Sequence, residues 1–482
     1  MTTNRQRWLC IAYAFPPVNR SGTHRTLGFV KHLAESGWDA TVLTVDPAGE
    51  PLDANLLAQV PPDTRIERTS WTDRVRACKQ LLRMEEAVSL IRAVPARRDK
   101  EAVPDSDGTN RFLTGAARKE LRDWFTRLLH LPDSRSGWIA PAVRAGLEVI
   151  RRDNPRVIYS TSPYMSAHII AQKLQRRTGL PWVADFRDPW RDNPFRTLGY
   201  VTLDWLDARM ERGVLRCASR IVMNTPTARE RLCARYPNLA AKCTVIPNGF
   251  DSDALHAVTP IRDAPAHHVV LAHAGQFYGA RSPLPWLRAL RLALNRLPQL
   301  AERLRVHFIG ADHYAGTPLI ELAQREGVAA LVRVWGMLPH AETLHRLAGA
   351  DALLLAGSGG PGAKLQVPAK LFEYLALRKP IIAALPAESP ALDILRQAYA
   401  PALTCAPDDV PALASAIETA ATGRFRIMPD AWSGVEKFER KHRAEELRRV
   451  FVELLAVPAL LATPASLVLD PRFDAFATPA QA

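Results

Sequence analysis

Val367-Pro-Ala-Lys-Leu-Phe-Glu-Tyr-Leu-Ala-Leu-Arg-Lys-Pro-Ile-Ile382 is the stretch on which the reading of the whole chain turns. Pro368 reads as an early helix position, good helix formers with apolar residues at helical spacing follow, and Lys379-Pro380 ends the helix before a β-branched run. Lys370 and Glu373 are three apart, so they share a face near the positive end of that helix, where anionic groups are favoured. Just upstream, Ala356-Gly-Ser-Gly-Gly-Pro-Gly-Ala363 is a turn whose backbone amides can approach phosphate oxygens. A surface ion pair after an ordinary connecting loop is the competing reading of the same residues.

The 482 residues, 47% of them apolar, suffice for two or three domains with sizeable cores. A formal net charge of +14 favours anionic partners: nucleic acid, an anionic membrane surface or phosphorylated substrates. Basic residues are dispersed and no nucleic-acid reader motif occurs, which argues against nucleic acid. Six cysteines are scattered without a CxxC pair or a histidine cluster, so neither a disulfide framework nor a zinc site is expected. No apolar run reaches the length of a membrane span, and the expected location is cytoplasmic, with any membrane contact peripheral.

In the first half, Trp8 to Tyr13, a helix closed by Gly37 and Trp38 to Val45 form a βαβ unit, hence a parallel sheet with a ligand crevice at the strands' carboxyl ends. In the first connecting loop Gly22 permits close backbone approach to a ligand; a GxGxxG fingerprint is absent. Residues 60–135 read as a helical insertion with basic and apolar faces, a pattern that either packs on its own domain or lies in a membrane interface. Val157 to Ser162 is a strand followed by a helix carrying His168, and Trp182-Val-Ala-Asp-Phe-Arg-Asp-Pro-Trp190 is a strand whose end offers Arg187 for phosphate and Asp188 as a base or a holder of an acceptor hydroxyl. A structural Asp–Arg pair, and a core or surface role for His168, are the bland alternatives. Composition turns rich in Ala, Pro and Asp after Asp251, which puts a domain boundary near residue 258.

A second α/β series starts at Val269. The strand Val269 to Ala274 leads into Gly275-Gln-Phe-Tyr-Gly-Ala-Arg281, and further strands are read at Arg305, Val332 and Ala352. Residues 431–456 read as one long helix and residues 457–482 as a low-complexity tail.

Lys370-Leu-Phe-Glu373-Tyr-Leu-Ala with Lys379-Pro-Ile-Ile resembles the donor-binding helix of the retaining family-4 glycosyltransferases, which have the GT-B fold: two Rossmann-like domains with parallel sheets facing a cleft. Phe15-Pro-Pro, Ser160-Thr-Ser-Pro, Asp185-Phe-Arg-Asp-Pro-Trp and Ile246-Pro-Asn-Gly-Phe-Asp251 are similar to the acceptor-side half of bacterial members. The resemblance implies an acceptor domain over 1–258, a nucleotide-sugar domain over 259–430 and a crossover helix over 431–456. It implies transfer with retention from a nucleotide-diphosphate sugar to a glycan or lipid-linked acceptor, in cell-surface polysaccharide assembly, without cofactor or metal. Glu373 would hold the ribose, and Arg281, at the place of a diphosphate-binding lysine, would hold the diphosphate with Lys370, Gly275, Gly22 and loop amides, Lys364 helping. Arg281, Glu373 and Asp188 are the catalytic candidates, with His168, Arg187 and Asp188 on the acceptor side.

Two positions depart from the family pattern. Gln276 stands where an arginine is common, and Leu365, followed by Gln366, stands where a second glutamate is usual, eight residues before Glu373. A non-catalytic protein of the same fold that binds nucleotide or glycan, and a nucleotide-sugar epimerase, are the rival expectations.

Overall fold

A computed structural model describes residues 5–78, 115–193, 196, 198–357, 359, 364–365 and 367–456. The first lobe is a seven-stranded, fully parallel sheet in the order β3-β2-β1-β4-β5-β6-β7. Its strands are β1 (Gln6–Ala12), β2 (Trp38–Val45), β3 (Arg65–Thr69), β4 (Val157–Thr161), β5 (Trp182–Phe186), β6 (Arg220–Met223) and β7 (Cys243–Val245). Most of their residues, polar ones such as Thr41 and Asp185 included, are buried, because helices cover both faces of the sheet. The strand order reverses between β1 and β4, so the loops leaving their carboxyl ends, at residues 13–20 and 162–165, open the crevice that such sheets use for ligands.

The second lobe repeats this plan with six parallel strands in the order β12-β9-β8-β13-β14-β15. They are β8 (Val269–Ala274), β9 (Leu304–Ile309), β12 (Val332–Val334), β13 (Ala352–Ala356), β14 (Ile381–Ala384) and β15 (Ala402–Cys405), while β10 (His313–Tyr314) and β11 (Thr317–Pro318) form a separate hairpin. This is the paired Rossmann-like architecture that the sequence implied.

Helices that bear on the site are α1 (Ser21–Glu35), α2 (Gly115–Leu129), α3 (Val201–Cys217), α4 (His340–Ala348), α5 (Lys370–Leu377) and α6 (Arg440–Ala456). The single helix read over 431–456 is interrupted: a 3-10 turn at Glu436–Phe438 precedes α6. The interruption has a cause outside the segment. Phe250 donates from its N–H to the carbonyl of Phe438 at 3.1 Å and accepts from the N–H of Arg440 at 2.7 Å, so the two passages of chain between the lobes pair with each other. Backbone groups at 438–440 that bond to Phe250 are lost to a helix. Gly249 is required here, since a Cβ would sit 2.3 Å from the Phe438 oxygen.

Phe250 already packs in the core of the second lobe, which puts the crossing at 246–250, ahead of the compositional change near 258. Helix α6 then returns to the first lobe, where Ala444, Leu447 and Phe451 join Trp8, Trp38 and Tyr159 in one buried cluster. The Phe451 ring lies 5.5 Å from Trp8 and 5.4 Å from Trp38. Residues 95–108 of the insertion, most of the Gly-rich run 356–363, Gln366 and the tail 457–482 lie outside the described residues.

Candidate active site

Asp185, at the end of β5, is completely buried. Arg25 of α1 donates to both its oxygens, from Nε at 2.8 Å and from Nη2 at 3.0 Å, and Thr161 donates at 3.1 Å. The same guanidinium donates to the carbonyls of Ile246 and Pro247, each at 2.8 Å. A fully desolvated carboxylate needs this density of donors. The result is that α1, β5 and the start of the interlobe crossing are fixed to one another, with Asp185 spent on structure.

Asp188, three residues on, is different. It is a third exposed and lines a cavity of about 380 Å³ between the lobes. Arg187 lines it too, 3.9 Å from the Asp188 carboxylate, together with Asn193, Asn224 and Asn248 from the first lobe. Asn224 Oδ1 accepts from the Asn248 N–H at 2.8 Å and holds the crossing in place.

The second lobe supplies the other wall: Gly275, Gln276, Tyr278, Arg281, Ala369 and Lys370. Arg281 is almost fully buried, with its guanidinium 5.0 Å from the Tyr278 ring and Nη1 donating to the Tyr278 hydroxyl at 3.3 Å. Its Nε is buried and has no hydrogen-bond partner among the described residues. Lys370 reaches the cavity from the first turn of α5, and Gly275 makes room for it, as a Cβ there would lie 2.5 Å from Nζ and the backbone has φ +109°. Burial, and then the charge of Arg281, pull the Lys370 ammonium down to about 7, with Glu373 acting in the opposite sense. Lys370 Nζ is also 3.3 Å from Nε2 of the buried His273, whose Nδ1 is 2.8 Å from the Leu354 carbonyl. A carbonyl only accepts, so Nδ1 carries the proton and Nε2 accepts from the lysine.

Although Lys370 and Glu373 share a helix face, they look into neighbouring chambers. Glu373 lines a smaller cavity of about 210 Å³ with Asn19, Arg20, His24, Arg25, Arg440 and others, and Asn248 and Ala369 border both chambers. His340, at the start of α4, donates from Nε2 to Glu373 Oε1 at 2.8 Å. Burial works against the Glu373 carboxylate, but the hydrogen bond and charge of His340 outweigh it and hold its pKa below the usual range. His340 itself is raised: burial opposes its charge and Glu373 more than compensates. The remaining expected contributors are placed as follows. Helix α5 begins at Lys370, so Pro368 sits in the turn before it. Gly22 abuts Arg187, whose Nη1 would be 2.8 Å from a Cβ at that position. His168 is wholly buried in the first-lobe core, hydrogen-bonded through Nδ1 to Ser160 Oγ at 2.8 Å, and does not line either chamber; burial lowers it to about 3. Its histidine-on-helix signal gave no account of the β4 hydroxyl beneath it. Lys364 pairs with Glu388 at 2.6 Å, away from the Arg281 cavity. Leu365, in place of the usual acid, is buried.

Sequence reasoning did not single out Arg25, Asn248, His273, His340 or Arg440. Only Asn248, inside the quoted Ile-Pro-Asn-Gly-Phe-Asp run, carried a local signal; the others act through partners remote in the chain.

Residues 77–254 match the family described as Glycosyltransferase Family 4. No curated protein matches the sequence. Among solved structures, a glycosyltransferase from Rickettsia africae ESF-5 aligns over 94% of this chain and 100% of its own at 14% identity and a TM-score of 0.60. Sucrose-phosphate synthase from Thermosynechococcus elongatus aligns over 94% and 100% at 15% identity and 0.58. A trehalose-6-phosphate protein from E. coli, bound with UDP-2-fluoro glucose, aligns over 92% and 99% at 12% identity and 0.58. At such identities the structural matches speak for the fold, and the sequence match speaks for the first lobe. Residues 77–254 thus carry a sequence match to the family-4 glycosyltransferases, and the two parallel-sheet lobes around a cleft have the GT-B fold of the matched structures.

Proposed function

We propose that the protein transfers a sugar, with retention, from a nucleotide-diphosphate sugar held by the second lobe to a glycan or lipid-linked acceptor held by the first, in the assembly of cell-surface polysaccharide. The observation that carries this reading is the pairing of Arg281, with its unpartnered buried Nε, and Lys370 in one interlobe cavity at the carboxyl ends of the second sheet. Two cations and open N–H donors in a confined space suit a diphosphate. As the bond from the sugar's anomeric carbon to the phosphate oxygen breaks, its electron pair stays on the diphosphate, and Arg281 and Lys370 stabilise that charge without a metal. The acceptor hydroxyl oxygen bonds to the anomeric carbon. In a retaining transfer it enters on the face the phosphate leaves, so a phosphate oxygen takes its proton while Asp188 orients the hydroxyl. Glu373 in the adjoining chamber takes the ribose hydroxyls. The test is consumption of nucleotide-sugar donors by the purified protein.

The acceptor side carries a surface suited to a lipid headgroup layer. Leu121 and Phe125 on α2 and Val201 and Trp205 on α3 are exposed, with Arg122 and Arg209 on the same helices. Trp124 Nε1 donates to Thr202 Oγ1 at 3.0 Å and ties the helices together. Among the described residues no helix is long and apolar enough to cross a membrane. An apolar face beside basic residues instead fits peripheral contact with anionic lipid. Trp205→Asp is expected to reduce co-sedimentation with vesicles containing anionic lipid, and unchanged co-sedimentation would refute that contact. A second reading, binding without turnover, is favoured by one observation, the buried Leu365 where an acid is usual; it predicts donor binding with no consumption.

A further inference from the structure

Glu373 is already engaged before any ligand arrives. His340 Nε2 donates to its Oε1 at 2.8 Å, and the His340 ring packs at a tilt on His24 of α1, with ring centroids 5.2 Å apart. The three side chains come from α5, α4 and, across the cleft, α1. A carboxylate has about four acceptor positions, so one bond to Oε1 leaves Oε2 and a lone pair of Oε1 for two vicinal hydroxyls. What the bond removes is freedom: Glu373 has three side-chain torsions, and fixing them in advance lowers the cost of ligand binding.

The other charged groups facing His340 are Arg440 from α6 and Asp53 from the first lobe. His24 is lowered to about 3, by burial and then by Arg440 and His340, so it packs on His340 as a neutral ring. In this clasp the attraction on His340 therefore comes chiefly from Glu373, its hydrogen-bond partner, with Asp53 adding to it and Arg440 opposing it.

We propose that His340 is a positioning residue that presets Glu373 for the ribose hydroxyls of the donor, and that His24 completes this setting only when the lobes are together. The inference rests on the donor-site reading above. It makes the ability to tell a ribose from a deoxyribose a property of His340, a residue that need not touch the ligand.

The experiment is isothermal titration of the full chain with UDP, GDP and ADP and with the corresponding 2′-deoxy nucleotides, using wild type, His340→Ala, His340→Gln, His340→Asn and Glu373→Ala. In the wild type, loss of the 2′-hydroxyl is expected to weaken the preferred diphosphate about tenfold, the scale of a hydrogen bond to a charged acceptor. That ratio falls to less than about twofold in His340→Ala, and His340→Gln, whose amide nitrogen can stand near the position of Nε2, restores it, whereas the shorter Asn does not. A merely structural histidine would weaken ribo and deoxy ligands alike. Full discrimination in His340→Ala, with Glu373→Ala abolishing it, overturns the clasp and leaves the donor site standing. Discrimination unchanged in Glu373→Ala, or no diphosphate bound by the wild type, overturns the donor-site reading and the clasp with it.

Discussion

Lys370 is the residue at which stability and function pull apart. Its ammonium is pulled down to about 7 by burial and Arg281, below the value of a lysine in an unfolded chain. A depressed lysine costs the fold most where it is charged, so the penalty is fully present below about pH 7 and fades as pH rises through the interval up to the unfolded value. Lys370→Met is therefore expected to raise the melting temperature at pH 6 while weakening nucleoside-diphosphate binding at least tenfold. A bound diphosphate favours the charged form, so wild-type affinity should fall between pH 7 and 8.5, and this pH slope should flatten in Lys370→Met. Titration calorimetry across that range reads both; a slope retained in the variant would assign it elsewhere. Lys370, Arg281 and Asp188, singled out in the sequence from a helix start, a glycine loop and a strand end, line one cavity. His340 and Arg440 were not singled out, because their meaning lies in contacts 33 residues or more along the chain. Asp185 and Asp188 could not be told apart either, since only the fold reveals that Arg25, 160 residues earlier in the chain, claims the first.

Among the elements, the buried strands β2 and β8 were legible to within a residue, since their β-branched and apolar residues suit a strand covered on both faces. The polar edge strand β3, Arg65-Ile-Glu-Arg-Thr69, fell within the stretch read as a helical insertion over 60–135 and pairs with β2 instead; its pattern was hidden because one edge and much of its surface meet solvent. The break before α6 was hidden for another reason: the residues there have helical propensity and yield to pairing with Phe250. Helix α6 is held to the first lobe by its apolar stripe rather than by charge. Phe451 is fully buried among Trp8, Trp38 and Tyr159, so Phe451→Ala should cost about 3–5 kcal/mol. Chemical denaturation followed by tryptophan fluorescence would show the loss in the first-lobe transition, and a change under about 1 kcal/mol would mean that α6 is not held by this cluster.

At the scale of the molecule, each lobe alone offers half a site. Arg187, Asp188 and Asn248 face Arg281 and Lys370 across the cleft, and His24 meets His340 across the same gap. The lobes are joined at two passages that hydrogen-bond to each other around Phe250. Two repeated βαβ series in one chain announced this architecture in the sequence; the separation of Lys370 and Glu373 into adjoining chambers did not, because helical spacing fixes a face and not what stands opposite it. The central claim is that cations of the second lobe stabilise a departing diphosphate in this cleft. The most direct test is the rate of donor consumption by purified wild type and Arg281→Gln across a panel of nucleotide-diphosphate sugars. The account predicts turnover of at least one donor by the wild type and a loss in the variant of about a hundredfold or more, the scale of removing one donor to developing charge. Equal rates in the two proteins, or no donor consumed by the wild type, would contradict it.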